Sequence, residues 1–138
     1  MRKLIDTHKA TFIQFMKFGA IGGLGFFLDV ALFHLALDVF GFNHDCSALF
    51  SFPFTVTFTW FGNRVFTFRG KSQRSLRDEW SRFAAVCLVG LVLNRGTFSL
   101  LTHNVPLVYQ YPVLGLMGGT CAGMFFNFFG ARRIVFSK

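Results

Sequence analysis

FMKFGAIGGLGFFLDVALF, residues 15–33, carries no charge between Lys17 and Asp29. Sixty-five positions on, residues 80–98 read WSRFAAVCLVGLVLNRGTF, which sets Lys17 over Arg82, Gly25 over Gly90 and Asp29 over Asn94. A second matching pair, TWFGNRVFTF at 59–68 and NFFGARRIVF at 127–136, stands sixty-eight apart and sets Arg64 over Arg132. Self-similarity at a fixed period means that each copy is one supersecondary unit. Each copy holds two apolar runs, 18–37 and 46–66 in the first, 83–101 and 113–130 in the second. All four approach the roughly 20 residues that a helix rising 1.5 Å per residue needs to cross about 30 Å of hydrocarbon. A barrel would need many alternating strands of about ten residues, which continuous apolar runs in so short a chain do not supply. The expected fold is therefore an all-α integral membrane protein, four transmembrane helices as a tandem repeat of two helical hairpins. It forms a single membrane domain with repeat one at 14–68, a basic linker at 69–79 and repeat two at 80–136.

Composition agrees with lipid as the solvent. The 138 residues are 53% hydrophobic and only 14% charged, and a soluble domain of this size could not bury 22 phenylalanines. A net charge of +8 raises the question of nucleic acid, but the basic residues sit at the ends of apolar runs rather than on one solvated face with aromatics, so no nucleic-acid partner is expected. Four Lys or Arg fall within 1–17, six within 64–82 and three within 132–138, while 38–45 and 102–112 contain none. The bias puts both termini in the cytoplasm and leaves Tyr109 and Tyr111 as anchors at the opposite interface. Two parallel hairpins of this kind resemble the parallel repeats of transporters, with a site near the midplane. The first apolar run begins too late and is too long for a signal-peptide core, so it reads as a retained anchor. Cys46, Cys87 and Cys121 lack metal-ligand spacing and read as packing residues; His8, His34, His44 and His103 read as structural, and no cofactor is expected.

Ser47, Ser51, Thr55, Thr59 and Asn63 step by four along the second run, and Gly115, Gly119, Gly123 and Asn127 take the positions equivalent to the first four along the last. Such a seam lets helices approach closely in lipid, and it can also line a path for a polar group. Asp29 lies twelve residues past Lys17, roughly 18 Å deep, with Asn94 and Arg95 at the matching depth. Ionisable groups there are costly and mark functional positions, although an Asp29–Arg95 ion pair that merely holds the helices would also account for both. Arg95 has no counterpart in the first copy, where Val30 stands, and this asymmetry favours handling of an anion. Gly22, Gly25 and Asp29 share a helix face, repeated by Cys87, Gly90 and Asn94. Lys17, Arg64, Arg82, Arg132 and Arg133 lie at headgroup level, as topology anchors or as forks for a lipid phosphate. Arg69, Lys71, Arg74 and Arg77 read as solvated charges drawn to anionic lipids. No nucleophile with a base, phosphate-cradling loop or carboxylate pair occurs in a solvated segment, so the chain does not read as an enzyme.

The repeated pattern, FxKFGxxGxxGxxxD at 15–29, GNRVFTF at 62–68 and FFGARRIVF at 128–136, resembles the GtrA-like family of small four-helix membrane proteins across roughly 14–136. Members of that family are associated with cell-surface polysaccharide synthesis in bacteria. They are thought to move polyprenyl-phosphate-linked sugars across the cytoplasmic membrane, usually beside a membrane glycosyltransferase that charges the lipid. The resemblance implies a multi-pass flippase of the bacterial inner membrane serving polysaccharide or lipopolysaccharide modification, or an accessory subunit of the transferase. In that role Arg64, Arg132 and Arg133 receive the phosphate, with Lys17 and Arg82 at the same level. Asn63, Asn127, Asn94 and Asp29 exchange hydrogen bonds with sugar hydroxyls, and Arg95 neutralises the phosphate at mid-depth. With no nucleotide site, transport would run downhill or draw on protons through Asp29. Two rivals are a scaffold for the transferase and a proton-coupled cation exporter resembling small multidrug transporters, in which Arg95 would repel the cargo. The small enclosed volume makes a homodimer the simplest assembly.

Overall fold

A computed structural model describes residues 2–137, and the side chains of 8–137; the basic side chains of Arg2, Lys3 and Lys138 lie outside the described residues. The first helix, α1, spans Arg2–His34 and runs on into a π-helical turn at Leu35–Val39. Next, α2 spans His44–Gly62 and closes in a π turn at Asn63–Thr67. Then come α3 (Leu76–Asn104), the short α4 (Pro106–Gln110) and α5 (Pro112–Gly130), which closes in a third π turn at Ala131–Val135. Among the described residues there is no strand.

Local chemistry sets the helix starts. The Asn43 side chain accepts from the Cys46 amide at 2.8 Å to cap α2, and Ser75 accepts from the Asp78 amide at 3.3 Å to cap α3. Asp78 and Glu79 then occupy the first turn of α3, the positive end of its dipole. Both α4 and α5 begin with proline, whose missing amide hydrogen would find no helical acceptor there in any case. Gly41 (φ 69°) and Gly70 (φ 68°) turn the chain in left-handed conformations before α2 and α3.

Two boundaries differ from the sequence reading. The apolar runs at 18 and 83 mark where lipid would begin, but α1 and α3 start earlier, at Arg2 and Leu76, because Gln, Lys, Arg and Glu upstream propagate a helix well without being apolar. The connection at 102–112 contains α4 rather than plain loop.

Among the described residues, three helices are long and apolar enough to cross a membrane: His8–Val39, Leu76–Asn104 and Pro112–Val135. The protein is an all-α membrane protein. The second helix, expected from the sequence as a further span, is not among them: it is long enough, but its seam of Ser47, Ser51, Thr55, Thr59 and Asn63 dilutes its apolarity. Those seam residues are turned inward, Ser47, Ser51 and Asn63 being buried, while Leu49, Phe54, Phe58 and Phe61 are exposed.

The chain packs as two compact units, 2–73 and 74–137. In the first, α1 lies along α2, and the Phe18 ring meets Phe68 edge-on at 6.3 Å between centroids. In the second, α3 lies along α5, and Phe83 meets Phe136 at 6.2 Å. All four rings are buried. Phe83 follows Phe18 by sixty-five positions and Phe136 follows Phe68 by sixty-eight, so the same two offsets that align the sequence align the packing. Most other large apolar side chains are exposed, Phe27 by 71% and Leu49 by 74%. An apolar surface of that extent would drive aggregation in water and is ordinary in lipid.

Candidate functional site

In the first unit the seam carries a ladder of hydrogen bonds. Thr55 Oγ1 donates to Asp29 Oδ1 across the two helices at 3.1 Å, and Thr59 Oγ1 donates back to the Thr55 carbonyl at 2.8 Å. Asn63 Nδ2 donates to the Thr59 carbonyl at 2.9 Å, and Thr67 Oγ1 donates to Asn63 Oδ1 at 2.9 Å. From Thr55 to Thr67 the ladder climbs about 18 Å along α2. Gly25 makes the approach possible, because a Cβ there would run into the Thr59 methyl.

The second unit repeats the geometry with different chemistry. Gly90 takes the place of Gly25 and Asn127 that of Thr59, and a Cβ on Gly90 would strike the Asn127 amide. Asn94 is half-buried over two glycines, where a Cβ on Gly119 would lie 2.5 Å from the Asn94 carbonyl oxygen and one on Gly123 would lie 3.0 Å from that of Gly90. No hydroxyl stands where Thr55 does, since Gly123 occupies the position. Asn127 Oδ1 is buried with no hydrogen-bond partner, an acceptor left open inside the α3–α5 seam.

Each seam ends in a π turn. The Phe68 amide donates to the Asn63 carbonyl and the Phe136 amide to the Ala131 carbonyl, both at 2.8 Å and both five residues back. Such turns insert one residue into the helical register and recur at functional sites. The inserted turns carry Arg64 in one unit and Arg132 and Arg133 in the other. Arg64 and Arg132 are half-buried. The Arg64 guanidinium sits 6.0 Å from the Trp60 ring centre, and that of Arg133 sits 5.8 Å from Phe129, contacts that place each cation beside an aromatic ring. Seen from the sequence, the closing pair differs between copies. Asn63 and Thr67 form a polar couple in the first, whereas Ala131 and Val135, both fully buried, stand in the second.

The remaining residues singled out in the sequence sit apart from these turns. Lys17 and Arg95 are exposed on α1 and α3. Arg82 is held by Asp78, its Nε lying 3.0 Å from both carboxylate oxygens, so part of its charge is already answered. Asn63 is buried and spends its carbonyl oxygen on Thr67 and an amide hydrogen on Thr59, so it shapes the turn that carries Arg64. His34 lies 3.3 Å from Asp38, and His103 lies 2.7 Å from the Ser99 carbonyl.

Glu79 escapes a reading by motif. It is fully buried in the first turn of α3, where a glutamate reads as a solvated dipole partner. The signal was its spacing: Glu79, Phe83, Val86 and Gly90 step by four, three and four along one face, and all four are buried.

No curated protein matches the chain. The family description "GtrA/DPMS, transmembrane domain" matches residues 17–136, from Lys17 near the start of the first repeat to the phenylalanine that closes the second. That span takes in both seams and both arginine-bearing turns, and the chain belongs to this family of membrane domains, whose setting is the processing of polysaccharide or glycolipid sugars.

Proposed function

We propose that the protein is a flippase for a polyprenyl-phosphate-linked sugar in the bacterial cytoplasmic membrane, with four spans, both termini cytoplasmic and no enzymatic step of its own. One observation carries the reading: two π turns, sixty-eight residues apart, each offer an arginine at the end of a buried seam of small residues. A guanidinium binds a phosphodiester through a two-pronged fork, and a partly desolvated one binds it more strongly than an exposed one. Only the polar head of such a lipid needs a path, since its chain can stay among the lipid tails.

In this mechanism Arg64 in the first unit, and Arg132 with Arg133 in the second, each offer a phosphate site at the cytoplasmic face, and Lys17 and Arg82 add to the positive potential of their own units. The sugar hydroxyls exchange hydrogen bonds with Asp29, Asn94 and Asn127, the last through the open Oδ1. Asn63 acts by holding the turn beneath Arg64, and Arg95 offsets the phosphate charge at mid-depth. Transfer runs downhill toward the side where the sugar is consumed, or is coupled to protons through Asp29. A membrane glycosyltransferase supplies the charged lipid, anionic lipids meet the linker cations, and the working unit is a homodimer.

Liposomes containing the chain alone test this. Delivery of a short-chain polyprenyl-phosphate sugar to the far leaflet should be faster than in empty liposomes, and Arg64→Ala and Arg132→Ala should each slow it while the protein stays inserted. No acceleration by the wild-type chain sinks the proposal. Cysteine labelling tests the four spans: cysteines at 69 and 109 should react from opposite sides.

An accessory role beside the transferase has one observation in its favour. Upstream of the first apolar run, α1 exposes Phe12, Ile13 and Met16 on its surface. Stable co-purification with a transferase, together with inactive liposomes, would select that reading.

A further inference from the structure

Leu28 and Leu32 of α1 and Phe54, Phe58 and Phe61 of α2 line an open groove of about 660 Å³ within the first unit. Two more lining residues account for its form. Pro53 has no amide hydrogen, so the helix loses a bond there. The Thr57 hydroxyl turns back to donate to the Pro53 carbonyl at 2.7 Å, which keeps a polar donor out of the groove. The volume falls within the range of small-molecule sites. Sixty-eight positions on, Cys121 and Ala122 stand where Pro53 and Phe54 do, so proline and ring are peculiar to the first copy.

We propose that this groove holds the isoprenoid chain of the carrier lipid, with its phosphate at Arg64. The identity of the lipid rests on the flippase reading; the location of the chain rests on the groove. Thr57, Phe61 and Arg64 follow one another at helical spacing, so the cation stands one turn beyond the last ring, where the phosphate of a chain lying in the groove would be. Within a bilayer a chain gains only packing when it leaves lipid for protein, so fit of shape decides which chain is favoured. The three rings recur once per turn, about 5.4 Å apart along the axis. An isoprenoid bears a methyl every fourth backbone carbon, and four carbon–carbon bonds of about 1.5 Å advance about 5 Å along a zigzag. A straight acyl chain has no branch to set between the rings.

The experiment uses the full chain in phosphatidylcholine–phosphatidylglycerol nanodiscs, with a diazirine-tagged ten-isoprene phosphate and an equally tagged straight-chain alkyl phosphate. Adducts mapped by mass spectrometry should concentrate on 53–61 for the isoprenoid and be weaker there for the straight chain. Thr57→Trp, which fills the groove from its middle, should lower them at least about threefold, the scale of lost packing contacts. Excess untagged isoprenoid phosphate should suppress them in the wild-type chain while excess phosphatidylglycerol does not, a measurement independent of how the variant folds. Adducts spread equally over α5, equal labelling by both tags, or crosslinks from 53–61 to a second copy would each overturn the proposal. Groove adducts in a protein that moves no lipid-linked sugar would leave the site standing and sink the flippase reading; transport without groove adducts would do the reverse.

Discussion

Gly119→Ala measures how closely α3 and α5 approach. A Cβ on Gly119 lies 2.5 Å from the Asn94 carbonyl oxygen and 2.9 Å from its Oδ1. The first of these is backbone and cannot rotate away. Restoring ordinary separation requires the helices to part by roughly 1 Å, and a gap of that size forfeits about a quarter to a half of each van der Waals well along the seam. Overpacking of this kind costs about 1–3 kcal/mol, against which alanine returns up to about 1 kcal/mol of helix propensity. Gly96→Ala in α3 is the matched control, since a Cβ there meets nothing within 4 Å. The two variants make the same chemical change and differ only in what the methyl strikes. Thermal unfolding in detergent, followed by a thiol-reactive dye reaching the half-buried Cys87, should place Gly119→Ala about 3–8 °C below Gly96→Ala for a chain of this length. Equal melting of the two variants would refute the close approach at Gly119.

Asn63→Leu should destabilise the first unit by about 1–3 kcal/mol, because it leaves the buried Thr67 hydroxyl without its acceptor. The double change Asn63→Ala/Thr67→Val, which writes the second copy's residues into the first, should recover most of that loss, and a double-mutant cycle in thermal unfolding checks it. Arg64→Lys should retain part of the lipid-transfer rate that Arg64→Ala loses, and Arg82→Ala should have a milder effect than Arg64→Ala because Arg82 lies outside the π turns; vesicle assays of the three rank them. Asp29→Asn should fold normally, since the new amide oxygen still accepts from Thr55, yet it should abolish any acceleration of transfer by an imposed pH gradient. Resistance to a toxic cation that the wild type confers and Asp29→Asn loses would instead favour the exporter.

The architecture was legible because lipid imposes a coarse requirement. Apolar runs of fixed length and a repeated period are visible in one dimension, and the repeated packing of Phe18 on Phe68 and Phe83 on Phe136 follows the offsets read from the letters. The seam was legible for a similar reason, since a step of four is a helix face. Three features were not. The π turns arise from a one-residue shift in backbone register that no side-chain pattern announces. The burial of Glu79 depends on which face of α3 meets α5, which one letter in a charged stretch does not announce. The groove depends on Pro53 and the rings around it, residues that as letters are merely apolar.

The two copies also show which parts of the site the fold requires and which it leaves to chemistry. Both need a glycine on the first helix of the hairpin, at 25 and 90, and both close on a phenylalanine five residues past a π-turn carbonyl. Between those fixed points they diverge. The first copy lines its seam with hydroxyls, of which Thr55 donates to Asp29, Thr67 to Asn63, and Ser51 and Thr59 to backbone carbonyls, while Ser47 Oγ is buried without a partner; the second removes side chains altogether at Gly115, Gly119 and Gly123 and leaves the Asn127 oxygen open. Packing alone would be served by either solution in both copies. An anchored carboxylate in one seam and an open amide oxygen in the other give the two units unlike polar linings, a difference that packing does not require.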